Sequence, residues 1–164
     1  MRRLPSYDDV SDLPSAPPVT VPPEYGDLNG HMNVRSYLGI YDDAEWAIYG
    51  GMGIGAAEAE AGIGGVFALE QHITYRREVL VGDRVTVRLR VVGRAGALLH
   101  LVSYLANDTR SEVAGCMEAL EGWVDFGTRR LAPFPESAAR ALDDLAAEAA
   151  ALTWAPELSG SMRV

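Results

Sequence analysis

The run at residues 84–92 constrains the fold more than any other stretch of this chain. Val85, Val87, Leu89 and Val91 occupy every second position, and Arg84, Arg88 and Arg90 fall between them. Period-two alternation puts apolar side chains on one face of a strand and charged ones on the other. Turn signals bracket the run, Val81-Gly82-Asp83 before it and Gly93-Arg94-Ala95-Gly96 after it. Three more strand-like runs lie nearby, at residues 66–77, 98–106 and 113–126, the last two joined by Asn107-Asp108-Thr109-Arg110. A first strand begins near residue 19. The expectation is an antiparallel sheet of about five strands.

Such a sheet has an apolar face to cover. Residues 34–50 supply the cover, because Tyr37, Ile40/Tyr41, Ala44 and Ile48 recur at helical spacing. Asn33 reads as the N-cap and Gly50-Gly51 as the stop. Residues 51–65 are rich in Gly and Ala and read as a loop with a short helix at 56–61. After Pro135, residues 136–152 read as a second helix with Leu142, Leu145 and Ala149 as its buried stripe. One helix against an antiparallel sheet is an α+β layer architecture.

The resulting division is a Pro-rich arm at 1–18, a main domain at 19–135, a C-terminal helix at 136–152 and a tail at 153–164. Residues 1–23 hold six prolines, so the arm reads as extended rather than helical. A chain of 164 residues suits one domain with a real core.

Charge narrows the function. Fourteen Lys and Arg stand against 23 Asp and Glu, a net charge of −9. Phosphate neutralisation dominates nucleic-acid affinity, so an acidic chain argues against that partner and against an anionic membrane surface. No stretch is long and apolar enough to read as a membrane helix. Tyr7-Asp8-Asp9 stands where a signal peptide needs an apolar run, so the expected compartment is the cytoplasm. The single cysteine, Cys116, rules out an intrachain disulfide and a Cys-rich zinc site. No two of His31, His72 and His100 have helical ligand spacing, so no metal is expected; nor is a cofactor.

The segment before the long helix carries the chemistry. Tyr25-Gly26-Asp27-Leu28-Asn29-Gly30-His31-Met32-Asn33 joins the first strand to that helix. A carboxylate just before a helix N-terminus stays ionised, and free N–H groups there donate to a developing oxyanion. The same pattern also reads as an Asx-turn, ordinary turn chemistry for Asp-x-x-Gly. Glu70 and His72 lie two apart on one strand and so share a face, either as a pocket lining or as a structural pair. Arg76, with Arg77, Arg88/Arg90 and Arg129-Arg130, is a candidate for an anionic ligand or simply part of a solvated face. Tyr25, Tyr37, Tyr41 and Trp46 would suit a quaternary ammonium group, though core packing of the helix accounts for them equally.

Asp-x-x-Gly-His-x-Asn followed by Tyr37 resembles the hotdog-fold acyl-CoA thioesterases of the 4-hydroxybenzoyl-CoA thioesterase type. Val21-Pro22-Pro23-Glu24-Tyr25 and Glu70-Gln71-His72-Ile73-Thr74-Tyr75 extend the likeness to thioesterases associated with carnitine dehydrogenase, whose substrate is thought to be betainyl-CoA. The resemblance implies a hotdog fold, with the sheet wrapped around the central helix. It implies Asp27 as nucleophile or general base, the N–H near Val34 as oxyanion donor, and His31 and Asn33 as partners in the same loop. Tyr25, Tyr37, Glu70, His72 and Arg76 would then touch substrate. CoA enters only as part of that substrate, and the partner is a second copy, a homodimer or a dimer of dimers. Two alternatives stay open. A hotdog enoyl-CoA hydratase carries Asp-x-Asn-Pro-x-His, which Asp27-Leu28-Asn29-Gly30-His31 lacks by one residue and a proline. A non-catalytic acyl-CoA-binding module could keep the same pocket.

Overall fold

The computed structural model describes residues 5–164, so the start of the arm at residues 1–4 lies outside the described residues. In chain order the elements are α1 (Tyr7–Val10), β1 (Val19–Thr20), a 3-10 turn (Pro23–Tyr25), α2 (Val34–Gly50) and α3 (Ala56–Glu60). Then come β2 (Gly64–Tyr75), β3 (Arg84–Ala95), β4 (Leu98–Asn107), β5 (Glu112–Asp125), β6 (Arg130–Leu131) and α4 (Glu136–Ala150). The sheet has six antiparallel strands in the order β1-β3-β4-β5-β2, with β6 on β5. This is the hotdog fold, with α2 against one face of the sheet.

Alternation explains how that face is built. Val85 and Val87 of β3, Leu105 of β4 and Met117 of β5 pack against Tyr37, Ile40, Tyr41 and Ala44 of α2. Farther along, Leu89, Val91, Leu99, Leu101 and Trp123 pack against Ala138 and Leu142 of α4. Leu145 packs partly buried against that second cluster, and Ala149 is buried.

The opposite face departs from expectation, because it is covered as well. Val102, Tyr104, Ala106, Val113 and Cys116 form a third cluster with Val10 of α1, and Leu13, Trp154 and Leu158 pack on it. The arm and the tail together close this side. The arm is not wholly extended: between Pro5 and Pro14, Ser6 caps one helical turn that buries Val10. Its hydroxyl accepts from the Asp9 N–H while the Asp9 carboxylate accepts from the Ser6 N–H. Arg90 is buried at 6% exposure under the Trp154 ring, 4.2 Å from its centroid. It donates to the Ala149 and Trp154 carbonyls at 2.8 and 2.9 Å. Arg88 donates to the Ser11 carbonyl at 2.5 Å. Both arginines therefore hold the arm and tail in place. His100 is buried and pairs with Glu118 at 2.8 Å.

One polar cluster sits inside the core between α2 and the sheet. Glu45 of α2 and Glu121 of β5 are each 3% exposed. Ser103 donates to Glu45 at 2.6 Å, and the Tyr49 hydroxyl donates to Glu121. The two carboxyl groups are neighbours in this buried cluster. Burial, then the neighbouring Glu121 charge, push Glu45 well above the ordinary carboxylate range, with Asp42 adding to the push. Two charges so close in a dry site cannot both persist, so the pair keeps a proton at neutral pH. The native state then binds more protons than the unfolded chain. The stabilisation from this pair is complete below about pH 4 and is lost as pH rises through the raised folded value. Thermal unfolding should show Tm falling as the pH is raised from about 5 upward, with Glu45→Gln flattening the fall. A wild-type slope equal to that of the variant would contradict the shared proton.

Candidate active site

The loop before α2 folds onto itself as a small hairpin. Gly26 bridges Met32, the Asp27 N–H donates to the His31 carbonyl at 2.8 Å, and the Gly30 N–H donates back to the Asp27 carbonyl at 3.1 Å. Gly30 has φ +81°, a left-handed conformation that costs glycine little. The hairpin is pinned from both sides. Met32 donates to the Val79 carbonyl at 2.7 Å, and Asn33 donates to the Tyr25 carbonyl at 2.7 Å.

Within this loop the Asp27 carboxylate points back at its own backbone. Oδ1 accepts from the Asn29 and His31 N–H groups at 2.8 and 3.2 Å. Oδ2 takes only a long contact, 3.5 Å, from the Asn29 amide. The Asn29 backbone bond, with help from that of His31, holds Asp27 below the usual aspartate range. The arrangement is an Asx-turn, and it leaves an ionised carboxylate with one oxygen available to a ligand.

Helix α2 supplies the complementary group. The Asn33 side chain caps the Arg35 N–H at 3.1 Å, and its carbonyl accepts from Ser36 at 2.9 Å. Among the described residues none accepts from the Val34 N–H, and Val34 is 61% exposed. A free first-turn N–H at the positive end of a helix is a donor aimed at an anion.

A cavity of about 350 Å³ brings these groups together. Asp27, His31, Met32, Val34, Tyr37 and Arg76 line it, with Tyr75, Arg77 and Glu78. Arg76 pairs with Glu157 of the tail. Four other candidates lie elsewhere. Tyr25 lines a separate cavity of about 110 Å³ between the arm and α2. Asn33 caps the helix beside the main cavity. His72 stands opposite Glu118 and lines a third cavity, about 230 Å³, under the tail, while the Ser161 hydroxyl donates to Glu70 at 3.4 Å.

Tyr75, which entered the sequence reading only as the end of a resemblance motif, and Glu78, not singled out at all, join the lining. Parity could have found Tyr75: three residues beyond His72, it must face the opposite side of the strand. It meets Tyr37 edge to face, ring centroids 5.0 Å apart. Glu78 lies just past the strand, where no periodicity applies. Its carboxylate accepts from His31 Nε2 at 3.0 Å. A carboxylate only accepts, so Nε2 carries the hydrogen in this contact.

A family model for the thioesterase-like superfamily matches residues 21–142. A betainyl-CoA thioesterase of Pseudomonas aeruginosa is 30% identical over 112 residues, covering 68% of this chain and 70% of that protein. An L-carnitine dehydrogenase/betainyl-CoA thioesterase of Agrobacterium fabrum is 34% identical over 122 residues, 74% of this chain but only 25% of that protein. The chain thus spans about a quarter of the length of this second relative. Among solved structures, a Staphylococcus aureus protein in complex with CoA superposes with a TM-score of 0.79 at 28% identity, covering 90% of this chain and 93% of that one.

Proposed function

Because the chain belongs to the thioesterase-like superfamily, we propose that it hydrolyses acyl-CoA thioesters to the free acid and CoA, with Asp27 as nucleophile or general base. The observation that carries this reading is the placement of an ionised carboxylate and the free Val34 N–H on one cavity. The thioester carbonyl oxygen accepts from Val34 as it turns anionic. Attack on the carbonyl carbon, by Asp27 Oδ2 or by a water that Asp27 deprotonates, breaks the C–S bond and releases CoA as the thiolate; in the first case water then cleaves the acyl–Asp27 anhydride to the free acid and restores the carboxylate. A short acyl group, betainyl or one like it, is supported by the names of the two curated relatives.

The test is thiol release from a panel of betainyl, short straight-chain, long-chain and aryl CoA esters. Asp27→Asn keeps the turn acceptor but loses the base, so turnover should fall by about 10²–10⁴-fold while the unfolding transition is kept. Equal turnover in variant and wild type would sink the assignment.

A second copy of the chain is the expected partner. β2 is a twelve-residue edge strand, and Phe67, Leu69 and Tyr75 on it are exposed. An unpaired apolar edge of that length invites pairing with its twin, which would continue the sheet across a two-fold axis. Light scattering should return twice 17.6 kDa, and Leu69→Lys should shift the population toward the single-chain mass. A monomeric wild type would contradict this reading.

The proposed compartment is the cytoplasm. Support comes from Cys116, buried, with burial pushing its thiol up to about 12, which makes it inert rather than a pairing cysteine. No helix among the described residues is long and apolar enough to cross a membrane.

A further inference from the structure

The charges around the Asp27 cavity do not balance. Arg76 is paired with Glu157, and Arg77 lies 3.5 Å from Glu112. Neither of those carboxylates lines the cavity. Arg110 is held at 3.2 Å by Asp83, itself buried and fixed by the Asn107 amide at 2.8 Å, and pairs with one Glu78 oxygen at 3.6 Å, while His31 lies 3.0 Å from the other. Both arginines that line the cavity therefore have an acid outside it, and Arg110 is shared between Asp83 and the half-exposed Glu78. Two carboxylates remain on the wall, Asp27 and Glu78. Asp27 is assigned to the attack on the carbonyl, and Glu78 has no role in that step.

Beside Glu78 lie the two tyrosine rings. The rings meet at an interplanar angle of 85°; Tyr37 is buried, and Tyr75, 45% exposed, is the ring that presents surface at the cavity. An open aromatic face next to a carboxylate attracts a cation that has no N–H to donate, since such a cation needs charge and apolar contact rather than hydrogen bonds.

We propose that Glu78, with the Tyr37–Tyr75 ring pair, is the receptor for a quaternary-ammonium end of the acyl group. This rests on reading the cavity as the acyl-CoA site, and it assigns the residues that select the acyl group within it. The site is polarised to match such a substrate. The carbonyl oxygen goes to the Val34 N–H at the positive end of α2, and the ammonium goes to Glu78 on the facing segment after β2. A group with one methylene between ammonium and carbonyl places both ends within one cavity of about 350 Å³. A neutral acyl group of the same shape would leave Glu78 without a cation on that side and would gain only the apolar contact.

The experiment compares betainyl-CoA with the CoA ester that carries tert-butyl in place of trimethylammonium. The two have the same shape and differ in charge. Wild type should favour the cationic ester in kcat/KM by about tenfold or more, a preference of the size expected for one partly desolvated charge contact plus an aromatic face. Glu78→Gln keeps an acceptor for His31 and should cut that ratio by about tenfold. Tyr75→Leu should lower it in the same direction. The ratio divides out any loss common to both esters. An unchanged ratio in Glu78→Gln, or equal use of both esters by wild type, overturns the proposal.

A binding titration separates this inference from the thioesterase reading. Tetramethylammonium chloride added to wild type should shift the ring signals of Tyr37 and Tyr75 saturably in NMR spectra, and the shift should weaken in Glu78→Gln. Ring shifts without cleavage of any ester would keep the cation site and discard the hydrolysis. Cleavage without ring shifts would keep the hydrolysis and discard the cation site.

Discussion

The position of α2 on the sheet is the constraint on which the site depends. Tyr37, Ile40, Tyr41 and Ala44 bury one stripe of the helix against β3, β4 and β5. The Glu45–Glu121 pair, with Ser103 and Tyr49, fixes it farther along. Burying two carboxyl groups is expensive unless each is hydrogen-bonded, so the cluster tolerates little change in helix register. With the helix fixed in this way, its first turn has one place to be, and the Val34 N–H is presented there.

The Asp27 loop borrows its rigidity from the same arrangement. Asn33 caps the helix and ties back to Tyr25, while Met32 ties to Val79 beyond β2. The Asx-turn that holds Asp27 is therefore both a structural turn and the means of keeping a carboxylate ionised beside a helix N-terminus. The two readings of Asp-x-x-Gly are not rivals here. The proposed hydrolysis needs a base and an oxyanion donor at fixed separation, and one short hairpin between β1 and α2 holds a carboxylate and a free N–H on one cavity.

Much of this was legible in the sequence. Period-two alternation located the four long strands within a few residues of their ends, and the three- and four-residue spacing located α2 from cap to stop. The Asp27–Asn33 motif pointed to the superfamily that the comparisons bear out. What escaped has a common physical origin, since periodicity sees only regular elements. β6 is two residues long, and α1 is a single capped turn among prolines. The tail has no regular structure, yet Trp154 and Leu158 cover the outer face. Arg90 read as part of a charged strand face because the alternation shows which residues point away from the core and not what covers them. Glu78 reaches His31 only through the tertiary placement of the segment after β2.

The central claim is that the thioester carbonyl sits against the Val34 N–H, with the Asp27 carboxylate beside it. The most direct measurement is the amide proton shift of Val34 when a CoA ester binds the Asp27→Asn protein, which on the proposed mechanism holds its substrate uncleaved. The account requires a large downfield move at Val34, because its free N–H gains a carbonyl acceptor. A Val34 amide that moves no more than those of α4, with the ester demonstrably bound, would place the carbonyl elsewhere and contradict the account.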